Sequence, residues 1–349
     1  MAIRVVVAGL GGRGLDWIRE ARREPGFELS AFVDRDADIL QQAASRLSLQ
    51  ASQCFPTLEE ALAAAPSDAV IVATPAETHA QVCETALSKG LAVLVEKPFT
   101  TSLHDAVRLV RLAEDKALPL IVAQNYRYMR AFRTVRRLIA EGALGRVGLI
   151  VCQYYRVPHE MAPSLERIEH SVIWGNGIHH LDALRYVLNQ RVTNVSAESF
   201  TLAWGKLPQG ASFRAMLQLE EGARAIYSAT YESSGHEFFE RGQEFYARFT
   251  GERATLHLFH RWLILCERGR FPRPIRRGRR EITEERLLLR QLESAMTSNA
   301  PAETSGRDNL QTIATVEACL RSSVEGRPIN PQELLYEAER PQTCVSHRH

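Results

Sequence analysis

Two short motifs in the first hundred residues contain residue types that are suited to ligand binding. Near the start, the apolar run Val5–Ala8 leads directly into Gly9-Leu10-Gly11-Gly12-Arg13-Gly14. Further along, the apolar run Leu91–Val95 ends in Glu96-Lys97-Pro98. A glycine-rich turn between a strand and a helix can hold phosphate groups, and Lys97 adds a cationic amine at the end of a later strand. The two motifs together predict a bound dinucleotide with a charged side chain beside it.

The glycines of the first motif have distinct physical roles. Gly9 permits the tight turn, Gly11 lets the main chain approach a pyrophosphate, and Gly14 lets the helix pack closely on the strand. Gly12 and Arg13 complete the loop. The N-terminus of the helix that follows offers free N–H groups and the positive end of its dipole to the phosphates.

An acidic residue follows the second predicted strand. Asp34 lies 25 positions after Gly9, where a carboxylate can accept hydrogen bonds from both hydroxyls of a ribose. This carboxylate repels the extra phosphate of NADP, whereas the neighbouring Arg35 could pair with that phosphate. We therefore predict NAD as the cofactor, and NADP remains open.

The hydrophobic pattern changes near residue 122. Before it, short apolar runs alternate with helical stretches; the runs are Ile3–Ala8, Leu29–Asp34, Ala69–Ala73, Leu91–Val95 and Leu118–Val122. Such runs are typical of parallel strands covered on both faces, so residues 1–122 are predicted to form a doubly wound, Rossmann-type α/β domain. Residues 123–349 are predicted to form an α+β domain with a large, mostly antiparallel open sheet. A last helix, about 307–325, is expected to pack back on the first domain.

The composition limits the classes of function. The chain has 349 residues, of which 45% are hydrophobic and 24% charged, and its net charge is +2. These values fit a globular protein without a surface for nucleic acid or membranes, and no apolar segment approaches the roughly 20 residues that span a bilayer. The six cysteines are scattered without a Cys-x-x-Cys pair. This spacing favours reduced thiols in the cytoplasm and argues against a disulfide framework or a zinc site.

One segment has a strongly biased composition. Seven arginines occupy the thirteen positions from Arg268 to Arg280, and Glu284 and Glu285 follow. We interpret the segment as a solvated loop ahead of a helix near Glu285–Met296; contact with an anion is the alternative.

The motifs together resemble the Gfo/Idh/MocA family of nicotinamide-dependent oxidoreductases, over essentially the whole chain. The matching residues are the Gly9–Gly14 loop, Val33-Asp34, Thr74-Pro75 with His79, Glu96-Lys97-Pro98, Asn125-Tyr126-Arg127, Gly142 with Gly145, and Ser305-Gly306 with Asp308-Asn309. The resemblance implies a cis peptide bond between Lys97 and Pro98. It also implies that the cofactor contacts Thr74, Pro75, His79, Glu96, Lys97 and Asn125, the last at the nicotinamide or its ribose.

The resemblance also implies where the reaction takes place. Lys97 matches the lysine that lies against the substrate hydroxyl in family members, and His179 matches the catalytic histidine. A fixed ammonium stabilises a developing alkoxide, and a nearby histidine can accept the hydroxyl proton. The chain departs from the family pattern at Gly175, where an aspartate is usual. Asp182, three positions after His179, is an alternative partner for that histidine.

Several residues near the predicted domain junction are candidates for substrate contacts. They are Tyr126 and Arg127, which could bind substrate oxygens, and Tyr155, Trp174 and His180. We predict an NAD(P)-dependent dehydrogenase for a small polyhydroxylated molecule (a sugar, sugar acid or cyclitol), assembled as a homodimer or homotetramer through the C-terminal sheet. Two alternatives remain open: a regulatory or sensing protein that binds NAD without catalysis, and an enzyme that oxidises its substrate transiently and recycles the NAD.

Overall fold

The described elements form two β-sheets with helices packed around them. A computed structural model describes residues 2–157, 169–207, 210–233, 243–259, 262–278 and 282–340. Arg279, Arg280 and Cys344 lie outside these residues. No helix in the described ranges combines the length and the apolar character that a bilayer span requires.

Six parallel strands form the first sheet, in the order β3-β2-β1-β4-β5-β6. They are β1 (Ile3–Ala8), β2 (Phe27–Val33), β3 (Cys54–Phe55), β4 (Ala69–Val72), β5 (Ala92–Val95) and β6 (Leu120–Val122). The predicted doubly wound fold is confirmed, and only the two-residue β3 was not predicted. The strand order reverses between β1 and β4, and the crevice at such a reversal is where ligands bind in sheets of this kind.

Five helices connect these strands. They are α1 (Gly12–Ala21), α2 (Ala37–Leu47), α3 (Leu58–Ala64), α4 (His79–Ser88) and α5 (Leu103–Asp115). Polar side chains begin three of them: Asp36, Thr57 and Ser102 each accept a main-chain N–H of the first turn of α2, α3 and α5. These caps satisfy donors that a helix start leaves without partners.

Eight strands form the second sheet, in the order β14-β13-β12-β11-β7-β10-β9-β8. They are β7 (Val147–Arg156), β8 (Val192–Phe200), β9 (Ser212–Leu219), β10 (Arg224–Thr230), β11 (Gln243–Gly251), β12 (Ala254–Phe259), β13 (Trp262–Glu267) and β14 (Arg273–Pro274). Among the described strand pairs of this second sheet, only the β7–β10 pair is parallel, so the predicted, mostly antiparallel sheet is confirmed.

The remaining helices join the two sheets. They are α6 (Arg130–Ala140), α7 (Ile178–Leu188), α8 (Glu284–Ser298), α9 (Gly306–Glu325) and α10 (Pro331–Glu339). From α9, the Glu317 carboxylate accepts the main-chain N–H of Leu103 in α5, and the Ser322 hydroxyl accepts that of Ala197 in β8. Gly326 ends α9 as predicted, but a further helix follows it, begun by the side chain of Asn330.

One face of the second sheet is covered by α7 and α9, and the other carries exposed apolar side chains. We call this second surface the open face. The apolar side chains on it are Leu149, Met216, Ile226, Trp262 and Ile264, each between 38% and 64% exposed. Strand residues alternate between the two faces of a sheet, so the position of these side chains on one face follows from the register of β7, β9, β10 and β13.

A buried ion cluster links the end of β6 to α7 and α9. Arg127 is 3% exposed, and its guanidinium donates to both carboxylate oxygens of Asp182, at 2.7 and 2.6 Å. It also donates to the Asp308 carboxylate and to the Glu303 carbonyl oxygen, while the Thr312 hydroxyl donates to Asp182. The predictions that Arg127 binds substrate and that Asp182 orients His179 are therefore wrong, because the two side chains bind each other.

We expect Arg127→Met to lower the free energy of unfolding by about 3–5 kcal/mol, since it leaves the buried Asp182 carboxylate without its cation. Urea denaturation measures this change. The control is Arg137→Met, which breaks the exposed Arg137–Glu141 pair on α6 and should cost less than about 1 kcal/mol. Equal losses in the two variants would contradict the structural role of Arg127.

Candidate functional site

The glycine-rich turn between β1 and α1 is closed on one side and open on the other. Gly9 has φ +91°, and a Cβ there would lie 2.5 Å from the Ala73 main chain. A Cβ at Gly14 would lie 1.8 Å from the Gly9 carbonyl oxygen. A Cβ at Gly11 or Gly12 would meet no described atom within 4 Å. The turn thus packs through Gly9 and Gly14 and leaves main chain accessible at Gly11 and Gly12, as a pyrophosphate site requires.

Asp34 lies beside this turn, immediately after β2. Its carboxylate accepts the main-chain N–H of Leu10 at 2.8 Å and that of Asp36 at 3.0 Å. These two bonds hold the carboxylate at the edge of the crevice, where the sequence predicted a ribose contact. The neighbouring Arg35 is exposed.

His79 joins two loops at the carboxyl edge of the first sheet. The residue is 1% exposed, and its ring nitrogens lie 2.8 Å from the carbonyl oxygens of Pro98 and Thr74. The prediction that His79 contacts the cofactor is therefore wrong, because main-chain groups occupy both nitrogens. His79 instead fixes the Thr74-Pro75 turn relative to the loop that carries Lys97.

Glu96 anchors the same loop from the other side. Its Oε1 accepts hydrogen bonds from Arg13 at 2.8 Å and from the Trp17 indole at 2.9 Å, and its Oε2 accepts the main-chain N–H of Lys97. Arg13 is also paired with Glu285 of α8 at 3.1 Å. The side chains of Arg13 and Glu96 thus hold the loop, and their predicted contact with the cofactor stays a prediction.

Lys97 reaches from this loop to the second half of the chain. The peptide bond to Pro98 is cis, as predicted. The Lys97 ammonium donates a hydrogen bond to the Gly175 carbonyl oxygen at 2.6 Å. Burial is the main cause that lowers the pKa of Lys97 to about 8; Glu96 opposes the change and the nearby Arg13 adds to it. The ammonium is therefore held at a fixed point and titrates close to neutral pH.

Gly175 connects Lys97 to His179. It belongs to a π-helical turn, Ile173–Gly177, that runs directly into α7. Residues four apart share one face of a helix, so His179 lies beside the Gly175 turn that binds Lys97. The positive charge of Lys97 is one of the groups that lower the pKa of His179, which agrees with this proximity. The structure thus brings together the two predicted catalytic residues.

The ring of His179 is held by two neighbours. Its Nδ1 lies 3.1 Å from the amide oxygen of Gln124, and the ring stacks on Tyr126 with 4.3 Å between centroids and 7° between planes. Burial, followed by the charge of Lys97, lowers the pKa of His179 well below 6.5, so the imidazole is neutral. With Nδ1–H donating to Gln124, Nε2 keeps its lone pair and can accept a proton.

Two amide groups near His179 have buried atoms that lack partners in the described ranges. They are the side-chain oxygen of Asn125 and the side-chain nitrogen of Gln124. Buried polar atoms are nearly always hydrogen-bonded, so each fits contact with a ligand. This supports the predicted role of Asn125 at the nicotinamide end. Gln124 was not predicted, although its position immediately after β6 indicates the ligand-binding edge of the sheet.

Asn176 and Tyr231 form a second polar group that the sequence did not reveal. The Asn176 side chain donates to the Tyr126 hydroxyl at 3.3 Å and accepts from the Tyr231 hydroxyl at 2.7 Å. No sequence signal links Tyr231, immediately after β10, to this site, because the contact depends on how the π-helical turn packs against the end of that strand. The Tyr126 hydroxyl is thereby held beside Asn176, and its contact with the substrate stays a prediction.

The structure does not support two of the predicted substrate contacts. His180 is 1% exposed and lies among Tyr154, Tyr227 and Phe245, with its Nδ1 2.9 Å from the Tyr227 hydroxyl. It therefore packs α7 on the second sheet. Tyr155 lies on the open face, where its hydroxyl is 3.3 Å from that of Ser228, because alternate residues of β7 point to opposite faces. Trp174 is half-buried in the π-helical turn, next to Gly175.

Comparisons with known proteins agree with this geometry. Residues 3–124 match a family model described as an oxidoreductase family with an NAD-binding Rossmann fold. Residues 132–257 match a second model, described as the GFO/IDH/MocA C-terminal domain. The first match includes the glycine turn, Asp34 and Lys97, and the second includes Gly175 and His179.

Individual relatives extend over most or part of the chain. A D-apiose dehydrogenase from Paraburkholderia graminis is 27% identical over 90% of this chain and 86% of its own length. An inositol 2-dehydrogenase from Corynebacterium glutamicum is 30% identical over 56% of this chain and 57% of its own length.

A crystal structure shows the same fold. It is that of an oxidoreductase from Agrobacterium radiobacter in complex with NAD+, L-tartaric acid and magnesium, with a TM-score of 0.85 and 22% identity over 96% of this chain and 100% of that one. The family models, the relatives and the fold thus agree. The chain belongs to the Gfo/Idh/MocA family of oxidoreductases, and its N-terminal part is that family's NAD-binding Rossmann fold.

Proposed function

We propose that the protein is an NAD-dependent dehydrogenase that oxidises a CH–OH group of a small polyhydroxylated molecule. The observation that carries this proposal is the hydrogen bond from the Lys97 ammonium to the Gly175 carbonyl oxygen. This bond holds a cation from the cofactor-binding half of the chain beside His179 of α7. Relatives named D-apiose dehydrogenase and inositol 2-dehydrogenase support a sugar, sugar acid or cyclitol as the substrate.

The residues around the crevice fit a dinucleotide. The open main chain at Gly11 and Gly12 would hold the pyrophosphate, the Asp34 carboxylate the ribose hydroxyls, and the unpartnered Asn125 oxygen the nicotinamide end. Thr74 and Pro75 lie at the same edge of the sheet. Bound NAD+ supplies the acceptor for the hydride that leaves the carbinol carbon.

Lys97 and His179 have two different roles in the proposed reaction. The Lys97 ammonium has three N–H donors, of which one binds Gly175, so the others can bind the substrate oxygen and stabilise its developing negative charge. The neutral His179 accepts the hydroxyl proton at Nε2, while Gln124 holds its ring through Nδ1. The ring of Tyr126 behind His179 prevents the imidazole from turning away.

The two alternatives predicted from the sequence differ from this proposal in whether substrate is converted and whether net NADH is formed. A regulatory protein would bind NAD without turnover, and an enzyme that recycles its cofactor would convert substrate without net NADH. The position of Lys97 beside His179 favours the dehydrogenase, because a protein that only binds NAD has no need for a proton acceptor at that point.

Screening sugars, sugar acids and inositols with NAD, by absorbance of the reduced nicotinamide, tests the function. In Lys97→Met we expect kcat/KM to fall by about 10²–10³, since a donor to the developing oxyanion is lost.

In the unsubstituted protein, kcat/KM should fall above pH 8, because the Lys97 pKa is about 8 and the charge is lost as pH rises through that value. Lys97→Arg should remove that decline.

Lys116→Met, at an exposed position of the chain, is the matched control and should leave turnover unchanged. Full turnover in Lys97→Met would overturn the assignment. Absence of NADH from every compound, with tight NAD binding confirmed, would favour the regulatory or recycled-cofactor alternative.

We propose NAD rather than NADP as the preferred cofactor because the Asp34 carboxylate lies at the ribose position. Asp34→Asn keeps an acceptor for the Leu10 N–H but removes the charge. Since hydrogen bonds to charged groups contribute about 1.5–3 kcal/mol, the dissociation constant for NAD should rise about tenfold or more, while that for NADP falls. Calorimetric titration measures both, with Asp38→Asn in exposed α2 as control. Tighter binding of NADP than NAD by the original protein would contradict this proposal.

We also propose that the protein is a cytoplasmic homodimer or homotetramer that pairs through the open face. The exposed apolar residues on that face support this, because monomers rarely expose several neighbouring large apolar side chains. The five described cysteines are all free thiols, which supports a reducing compartment.

Met216→Glu combined with Ile226→Glu should yield monomers, because it places carboxylates in the proposed apolar interface. Light scattering after gel filtration measures the mass. Val324→Glu replaces an apolar side chain that is 83% exposed on α9, away from the open face, and should leave the assembly intact. If the unsubstituted protein is a monomer at micromolar concentration, the proposal is wrong.

A further inference from the structure

The Lys97 ammonium has no carboxylate partner within the described ranges. Its hydrogen bond goes to a main-chain carbonyl, that of Gly175. The adjacent Glu96 does not neutralise it directly: Oε1 binds Arg13 and Trp17, and Oε2 binds the main-chain N–H of Lys97. A partly buried charge without a direct ion-pair partner is costly, and the lowered pKa of Lys97 agrees with that cost.

The other described groups around the ammonium are neutral or cationic. His179 and His180 are neutral because burial lowers the pKa of both. Asn176 carries no charge. Among the described residues, Glu96 is the carboxylate that acts on the ammonium, and its side chain is bound to Arg13 and Trp17. Oxidised nicotinamide, which is itself cationic, would add to the positive charge at this point.

We propose that the substrate supplies the missing negative charge, as a carboxylate on the carbon next to the reacting carbinol. This inference rests on the proposed dehydrogenase function and narrows its substrate class to polyhydroxylated 2-hydroxy acids, such as aldonic acids. The donor count of Lys97 supports the arrangement. One N–H binds Gly175, which leaves one for the carbinol oxygen and one for a carboxylate oxygen, and a 2-hydroxy acid presents both on adjacent atoms.

Substitutions at Gly175 can add a charged or a neutral side chain beside Lys97. It lies in a helical turn, and its carbonyl is the group that binds Lys97. Gly175→Asp introduces a carboxylate into this turn, which competes with the substrate for the ammonium. Gly175→Asn adds a side chain of nearly the same size without the charge. The difference between the two variants therefore reports charge alone.

The test compares ligands that differ only in a carboxylate: D-gluconate with D-glucitol, and L-threonate with L-threitol. Each is titrated calorimetrically into the protein saturated with NADH, which prevents turnover of an alcohol. We compare the acid and the polyol of whichever pair contains the ligand with the lowest dissociation constant. In that pair, we expect the dissociation constant of the carboxylate to be at least about tenfold lower than that of the polyol. Gly175→Asp should abolish this preference, and Gly175→Asn should preserve it even if both affinities fall.

The outcomes separate this inference from the proposed function. Equal or tighter binding of the polyol, or no binding of either carboxylate, overturns the inference, and oxidation of the polyols with NAD would then leave the dehydrogenase intact. Tighter binding of the carboxylate supports a carboxylate site beside Lys97 whether or not NADH forms, and absence of NADH from every screened compound would overturn the dehydrogenase and with it the assignment of the bound acid as a substrate. The comparison in the original protein needs no variant, so it remains decisive if Gly175→Asp fails to fold.

Discussion

The site depends on one partly buried ammonium that is held across the two halves of the chain. Lys97 comes from the loop after β5, and the Gly175 carbonyl that binds it lies at the start of the helix that carries His179. This contact fixes the loop after β5 relative to the helix that carries His179. The contact is costly because it removes a cation from water, and the surrounding structure offsets that cost by fixing the loop on both sides.

Two buried groups hold the loop in place through hydrogen bonds. His79 connects it to the turn after β4 through main-chain carbonyl oxygens. Glu96 connects it to α1, and through Arg13 to α8. Farther away, the Arg127–Asp182 pair fixes α7 against the end of β6, and so fixes the distance between His179 and Gln124. Stability and site geometry therefore depend on the same elements.

The sequence predicts the first half of the molecule well and the second half only in outline. Apolar strands, the glycine turn and Asp34 are local signals, and the structure contains each of them where predicted. Arg127 shows the limit: its partners Asp182 and Asp308 are far along the chain, so sequence alone could not distinguish a substrate contact from a buried ion pair. The same holds for His180 and Tyr155, whose roles depend on which sheet face they meet, and for Gln124, Asn176 and Tyr231, which were missed.

The most direct measurement of the central claim is the pKa of the Lys97 ammonium in the folded protein. The chain has only four lysines, and Lys89, Lys116 and Lys206 are exposed, so each labelled side chain can be followed by NMR in a single pH titration. Loss of one signal in Lys97→Arg assigns the resonance. A midpoint near 8 is the expected result. A midpoint at or above 10.5, the ordinary value for lysine, would mean that the amine lies in water or in an ion pair and would contradict the account.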